Sequence, residues 1–189
     1  MSASLVGSEM CIRDRDMLTM REHLGGLEGA KVAICGDVMH SRVARSNIYG
    51  LTTMGAKVVL CAPPTLIPPR MDELGCAIAP TIEDACENAD VVMGLRIQRE
   101  RQQKGLFPSV AEYCDHWEIT PERLALAKKD ALVMHPGPMN RGVEIASSVA
   151  DCGQSVITQQ VESGVAVRMA LLYICLLYTS DAADDLIGV

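Results

Sequence analysis

The chain has 189 residues, 49% hydrophobic and 22% charged, with 17 Lys and Arg against 24 Asp and Glu. That length suits one α/β domain of ordinary size, and the net charge of −7 with a sequence pI of about 5.1 argues against nucleic acid or a membrane surface, both polyanions, as partner. The apolar share excludes a disordered chain, and the uncharged apolar run 169–178 has about half the length a bilayer span needs.

Eight cysteines stand at positions 11, 35, 61, 76, 86, 114, 152 and 175. None forms a C-x-x-C pair, none has zinc-finger spacing to a His, and several lie inside apolar runs, where free cysteine behaves as a small hydrophobe. Residues 1–15 carry no apolar signal-peptide core. The pattern reads as reduced, structural thiols in a cytoplasmic protein, with no metal site.

In chain order, 1–15 has neither helical nor strand period and is read as a non-native leader resembling translated adapter sequence. Residues 31–36 (KVAICG) form a short apolar run ending in Gly, as buried parallel strands do. Residues 41–55 carry Ala44, Ile48, Leu51 and Gly55 on one helical face, with Gly55 as the stop. A strand over 57–61 ends at Pro63-Pro64. A short helix over 71–74 and a short strand over 77–79 follow. Thr81 is of N-cap type, with acidic residues in the turn behind it. Strands are expected at 90–95 and 131–134, separated by a helix over 121–128. A last helix covers about 158–173, its stretch from Val165 to Tyr173 reading as buried; the pattern breaks at Thr179-Ser180-Asp181, and 175–189 is read as a non-native tail. Residues 16–174 therefore form one domain. Repeated β–α alternation with fully apolar strands implies a doubly wound, mostly parallel sheet with helices on both faces, a single Rossmann-like domain, whose ligand sits at the carboxyl ends of the strands.

Three such strand ends are polar. The first, Gly36-Asp37 to Asn47, lacks the G-x-G-x-x-G of a dinucleotide turn, which disfavours NAD. It places Arg42 and Arg45 in the first turn of a helix, where free N–H groups already favour an anion; they are either solvated surface arginines or carboxylate forks. The second end carries Arg96 and Gln98, alternating with apolar Leu95 and Ile97 and so pointing to one side. Arg99, Glu100 and Arg101 read as a solvated charge cluster. The third is His135-Pro136-Gly137-Pro138, a stiff turn poor in N–H groups whose carbonyls can meet an amine or carbamoyl donor; His135 reads as a structural histidine. Together they describe a pocket for a small dianion that also bears an amine, with no Ser–His–Asp pattern competing.

The segments Asp16-Met17-Leu18-Thr19, Gly36-Asp37 with His40-Ser41-Arg42-Val43-Ala44-Arg45-Ser46, Leu95-Arg96-Ile97-Gln98-Arg99-Glu100-Arg101 and His135-Pro136-Gly137-Pro138-Met139-Asn140-Arg141-Gly142 closely resemble the aspartate carbamoyltransferase catalytic chain, in order and over about residues 16–174. Ornithine enzymes of that family carry a His-Cys-Leu-Pro element at the last motif. The resemblance implies transfer of the carbamoyl group of carbamoyl phosphate to L-aspartate in early pyrimidine synthesis, without metal, cofactor or covalent intermediate. It implies that Arg42 and Arg96 hold the aspartate carboxylates with Gln98 assisting, and that backbone groups of Gly137 and Pro138 meet carbamoyl phosphate.

Members also carry a Ser-x-Arg-Thr-Arg phosphate motif and a His-Pro-x-Gln element, neither of which occurs here. The chain therefore reads as the aspartate-binding half only, catalytically silent alone. Family trimers form chiefly through the other half, so this chain is not expected to trimerise; a regulatory chain is left open. Residues 99–120 resemble a loop that closes on substrate and are expected to be less ordered than the sheet. The competing readings are an ornithine-type or other carbamoyltransferase, a nucleotide-dependent oxidoreductase, and a non-catalytic dicarboxylate-binding or assembly module.

Overall fold

The aliphatic runs at the centre of the sheet, 32–36, 91–95 and 132–134, show no polar alternation and are buried on both faces, which is the pattern of a parallel sheet covered by helices, while Ala77 and Ile78 at its edge are exposed. The computed structural model describes residues 4–97 and 109–184. The strands are β1 (Lys31–Gly36), β2 (Lys57–Cys61), β3 (Ala77–Ile78), β4 (Val91–Leu95) and β5 (Leu132–Met134). All pairings are parallel and the order is β3-β2-β1-β4-β5. The chain thus reverses direction across the sheet between β1 and β4, the crevice at which doubly wound sheets bind ligands.

Alternate residues feed two cores. Val32, Ile34, Leu60 and Met93 pack with Ala44, Ile48 and Leu51 of α2 (Arg42–Thr53) and Met20 of α1 (Ser4–Leu24). Ala33, Cys35, Cys61 and Val92 pack on the other face with Ile82, Ala85 and Cys86 of α3 (Ile82–Cys86), and with Ile119 and Val149. Helix starts are capped as their sequence types suggest: Ser41 accepts from Ala44 N at 3.1 Å and Thr81 from Asp84 N at 3.1 Å. The remaining α-helices are α4 (Val110–Trp117), α5 (Pro121–Leu124), α6 (Ser147–Ala150) and α7 (Ile157–Asp184), and the short helix expected over 71–74 is a 3-10 turn, Met71–Leu74. None of the described helices is long and apolar enough to cross a membrane.

Four expectations are corrected. Residues from Ser4 onward are helical despite their weak period, because α1 gains its stability from packing. It lies so close to α2 and α7 that a methyl group on Gly50 would meet Met17 Sδ at 2.5 Å, and one on Gly164 would meet Arg15 Cδ at 2.8 Å. α7 runs through Thr179-Ser180-Asp181, none of them a Gly or Pro stop. Its stretch over 165–173 is not buried: Val165, Met169 and Leu172 are 59%, 66% and 63% exposed, continuing a stripe begun by Val161. α5 stops at Leu124 rather than 128, because Lys128 is drawn to the sheet, its N–H bonding Ala89 O at 3.1 Å and its ammonium Asp90 at 2.6 Å. The expected closing loop lies partly outside the described residues; from Val110 to Trp117 it is helix α4, with Tyr113 buried.

Candidate functional site

The first junction begins at Gly36, whose φ of +126° and position against Leu95 exclude a side chain: a Cβ there would stand 2.6 Å from Leu95 O. Asp37 follows, fully buried, and accepts from His40 N at 3.1 Å while both its oxygens face His40 Nδ1, at 2.9 and 3.0 Å. This clasp folds the segment back so that Ser41 can cap α2 and Arg42 becomes its first residue, exposed at the helix N-terminus. Arg45, one turn on, donates to Met39 O at 3.1 Å.

The second junction leaves β4 next door, since Gly36 and Leu95 are register partners. Arg96 is half-buried and Ile97 fully buried. Gln98 lies outside the described residues, as do Arg99, Glu100 and Arg101.

The third junction leaves β5, paired to β4 on its far side. His135 is buried, its ring lying over Gly94, where a Cβ would meet Cδ2 at 3.1 Å. Its Nδ1 accepts from Gly137 N at 2.9 Å, so the ring proton is on Nε2, which faces Glu144 Oε1 at 3.4 Å. Glu144, also buried, accepts from Asn140 N. Gly137 has φ +68° and the Gly137–Pro138 bond is cis. Both residues are exposed. Asn140 Nδ2 donates to Ile97 O at 3.3 Å, joining this turn to the second junction.

Beneath the three junctions lies a buried polar chain. Asp16 of α1 accepts from Asn47 Nδ2 of α2 at 2.8 Å, from Gln160 Nε2 of α7 at 2.6 Å and from Arg15 Nε at 3.1 Å. Burial pushes its carboxyl above the usual value, and these three donors work against that. Gln160 passes the connection on, its Oε1 accepting from His135 N at 3.0 Å.

The described residues expected at the site therefore follow the ends of three adjacent strands, β1, β4 and β5, at one carboxyl edge. Arg42, Arg96, Gly137 and Pro138 all flank it. A separate cleft of about 270 Å³, lined by Met17, Leu18, Leu27, Met54 and Val167, lies toward the opposite end of α2. Among the described residues no group of His, Cys, Asp and Glu could hold a metal ion. Sequence reasoning missed Asn47, Glu144 and Gln160. Asn47 shares the buried helical face of Ala44, Ile48 and Leu51, and a lone amide on an apolar stripe was the available signal.

Residues 28–175 match the family model described as aspartate/ornithine carbamoyltransferase, Asp/Orn binding domain. The chain belongs to that family. It is 62% identical over 159 residues to the aspartate carbamoyltransferase catalytic subunit of Moorella thermoacetica, covering 84% of this chain and 52% of that protein. The corresponding subunit of Geobacter sp. (strain M21) is also 62% identical over 159 residues, with 84% and 51% covered. This carbamoyltransferase-family chain thus spans about half the length of the curated relatives it matches. Among solved structures, the ornithine carbamoyltransferase from Pyrococcus furiosus superposes with a TM-score of 0.75 at 25% identity, covering 86% of this chain and 54% of that one. The enzyme from Burkholderia thailandensis gives 0.71 at 27%, covering 86% and 52%.

Proposed function

We propose that the chain, over residues 16–174, is the aspartate-binding half of an aspartate carbamoyltransferase, a cytoplasmic enzyme of pyrimidine synthesis. The observation that carries this reading is the placement of the β1, β4 and β5 exits side by side, the last two tied by the Asn140–Ile97 hydrogen bond at 3.3 Å. Arg42 and Arg96 hold the two carboxylates of L-aspartate through charge-assisted hydrogen bonds, with Gln98 assisting. The rigid turn at Gly137 and Pro138 offers backbone groups to carbamoyl phosphate. The aspartate amine then attacks the carbamoyl carbon, the bond from that carbon to the phosphate oxygen breaks, phosphate leaves, and the amine loses a proton. Catalysis of this kind rests on positioning and on cations facing the developing negative charge.

Aspartate rather than ornithine is favoured by the names and identities of the relatives: 55–62% for the curated aspartate subunits against 21–27% for the ornithine structures. The chain alone binds without turning over, since it carries no Ser-x-Arg-Thr-Arg cluster to stabilise the leaving phosphate. The apolar stripe on α7 supports this half-enzyme reading, being the kind of surface that a partner half covers. Homotrimers belong to the whole enzyme.

Isothermal titration tests the proposal. L-aspartate and succinate bind weakly, ornithine and NAD give no heat, and Arg96→Ala abolishes the succinate signal. Ornithine binding in preference to succinate, or formation of N-carbamoyl-aspartate by the chain alone, would refute it.

A further inference from the structure

A fully buried polar cluster centred on Asp16 is absent from the reaction just described. Asp16 has no exposed surface, and a buried carboxylate is costly unless its oxygens are satisfied. Here they are satisfied from two different helices. Oδ2 takes Asn47 Nδ2 of α2, and Oδ1 takes Gln160 Nε2 of α7 with Arg15 Nε beside it.

An ionised carboxylate only accepts, so it fixes which way round each amide sits. Gln160 must turn its NH₂ toward Asp16, which leaves its carbonyl oxygen aimed at His135 N, the entry to the Gly137–Pro138 turn. Asn47 must do the same, and its Oδ1 is left buried without a hydrogen-bond partner. The fold tolerates that orphan oxygen in exchange for the donor. Arg15 adds a second strap, its guanidinium Nη2 donating to Pro136 O at 3.3 Å. Asn47 stands five residues behind Arg42 on the same helix. One carboxylate thus spans the helix that carries Arg42 and the turn that carries Gly137 and Pro138.

We propose that Asp16 is a positioning residue: the relay Asn47–Asp16–Gln160–His135 sets the spacing between the arginine and carbonyl sides of the site. This deepens the proposed function and rests on it for the ligand. Apolar side chains of similar volume would fill the same space with comparable or better stability. What they would not supply is a fixed orientation for the His135 amide.

A polarity swap in the 189-residue chain tests this. Asn47→Asp sets two buried carboxylates face to face. Backbone amide NMR signals of Gly137 and Asn140 move, and the succinate dissociation constant rises at least tenfold. Adding Asp16→Asn restores both bonds of the relay at position 16, because the new carbonyl accepts from Gln160 and the new NH₂ donates to residue 47. Signals and affinity return to within about twofold of the parent. Should Asn47→Asp not fold, Gln160→Met cuts the relay without opposing charges and carries the same expectation.

A folded variant with unmoved turn signals and unchanged succinate affinity overturns the proposal, as does a swap that restores nothing. Turn signals that move and recover in a chain binding no dicarboxylate uphold the relay and discard the proposed ligand instead.

Discussion

The Asn140 side chain donates its amide to the carbonyl of Ile97 at 3.3 Å, and this bond joins the β5 turn to the segment that carries Arg96 out of β4. The same residue's backbone N–H is held by the buried Glu144. Asn140→Ala keeps the second bond and loses the first. It should cost about 1 kcal/mol in urea unfolding, the net worth of one such hydrogen bond. Succinate affinity should fall by more than that stability loss explains, because the Arg96 segment is released from the turn. Equal affinity in parent and variant would mean the bond only steadies the loop.

Gly36 makes the β1 and β4 exits neighbours at contact distance. A methyl group at this position meets backbone, the Leu95 carbonyl at 2.6 Å, and the residue's φ of +126° is unfavourable for any L side chain. Neither atom can rotate away. Gly36→Ala should therefore destabilise the chain by about 3 kcal/mol, combining overpacking with backbone strain. By contrast Gly153, where an added Cβ meets nothing within 4 Å, should accept Ala with a change of under about 0.5 kcal/mol. Thermal melts of the two variants make the comparison.

Cys35 and Cys61 are register partners on β1 and β2 and share one core with Cys86. Burial, with charge from Cys86 and Glu83, pushes the Cys61 thiol up to about 12, and the Cys35 thiol is raised as well. The thiolate is the reacting species. In the native chain at pH 8, iodoacetamide should label exposed Cys175 well before positions 35 and 61, which react only after denaturation. Mass spectrometry of the labelled peptides reads the order, and early labelling at position 61 would contradict the packing.

Much of the site was legible because its signals are local. The stripe of Ala44, Ile48 and Leu51 after the β1 run predicts a helix with Arg42 in its first turn, and that helix forms. His135-Pro136-Gly137-Pro138 predicts a stiff turn with a packed histidine, and His135 is buried with Nδ1 bonded two residues on. Illegible were the features whose partners lie far away in sequence. α1 looked structureless because its packing partners are remote, Asp16 bonding Asn47, 31 residues on, and Gln160, 144 residues on. The stretch over 165–173 looked buried because its composition is apolar, yet composition carries no information about which neighbour is present to cover it. Whether Gln98 joins Arg96, as their alternation predicts, falls outside the described residues.

Two buried or half-buried aspartates should give the chain opposite responses to pH. Asp90 is raised by partial burial but lowered more by Lys128 and by the Lys31 backbone N–H, ending below its ordinary 3.8. A depressed carboxyl contributes stability that is present above the unfolded value and disappears as pH falls through the folded one. Asp16 has the reverse sign. Its desolvation outweighs the donors from Arg15, Asn47 and Gln160, so its folded value lies above 3.8. Its contribution is most favourable below 3.8 and is lost as pH rises through the folded value. Urea midpoints measured from pH 3 to pH 8 separate the two. Asp90→Asn should flatten the acid limb, costing about 1 kcal/mol at pH 7 for this partly exposed pair and progressively less toward pH 3. Asp16→Asn should instead flatten the decline above pH 4, so that relative to the parent it gains stability as pH rises. A parallel pH response from both variants would contradict the burial of Asp16 between its two helices.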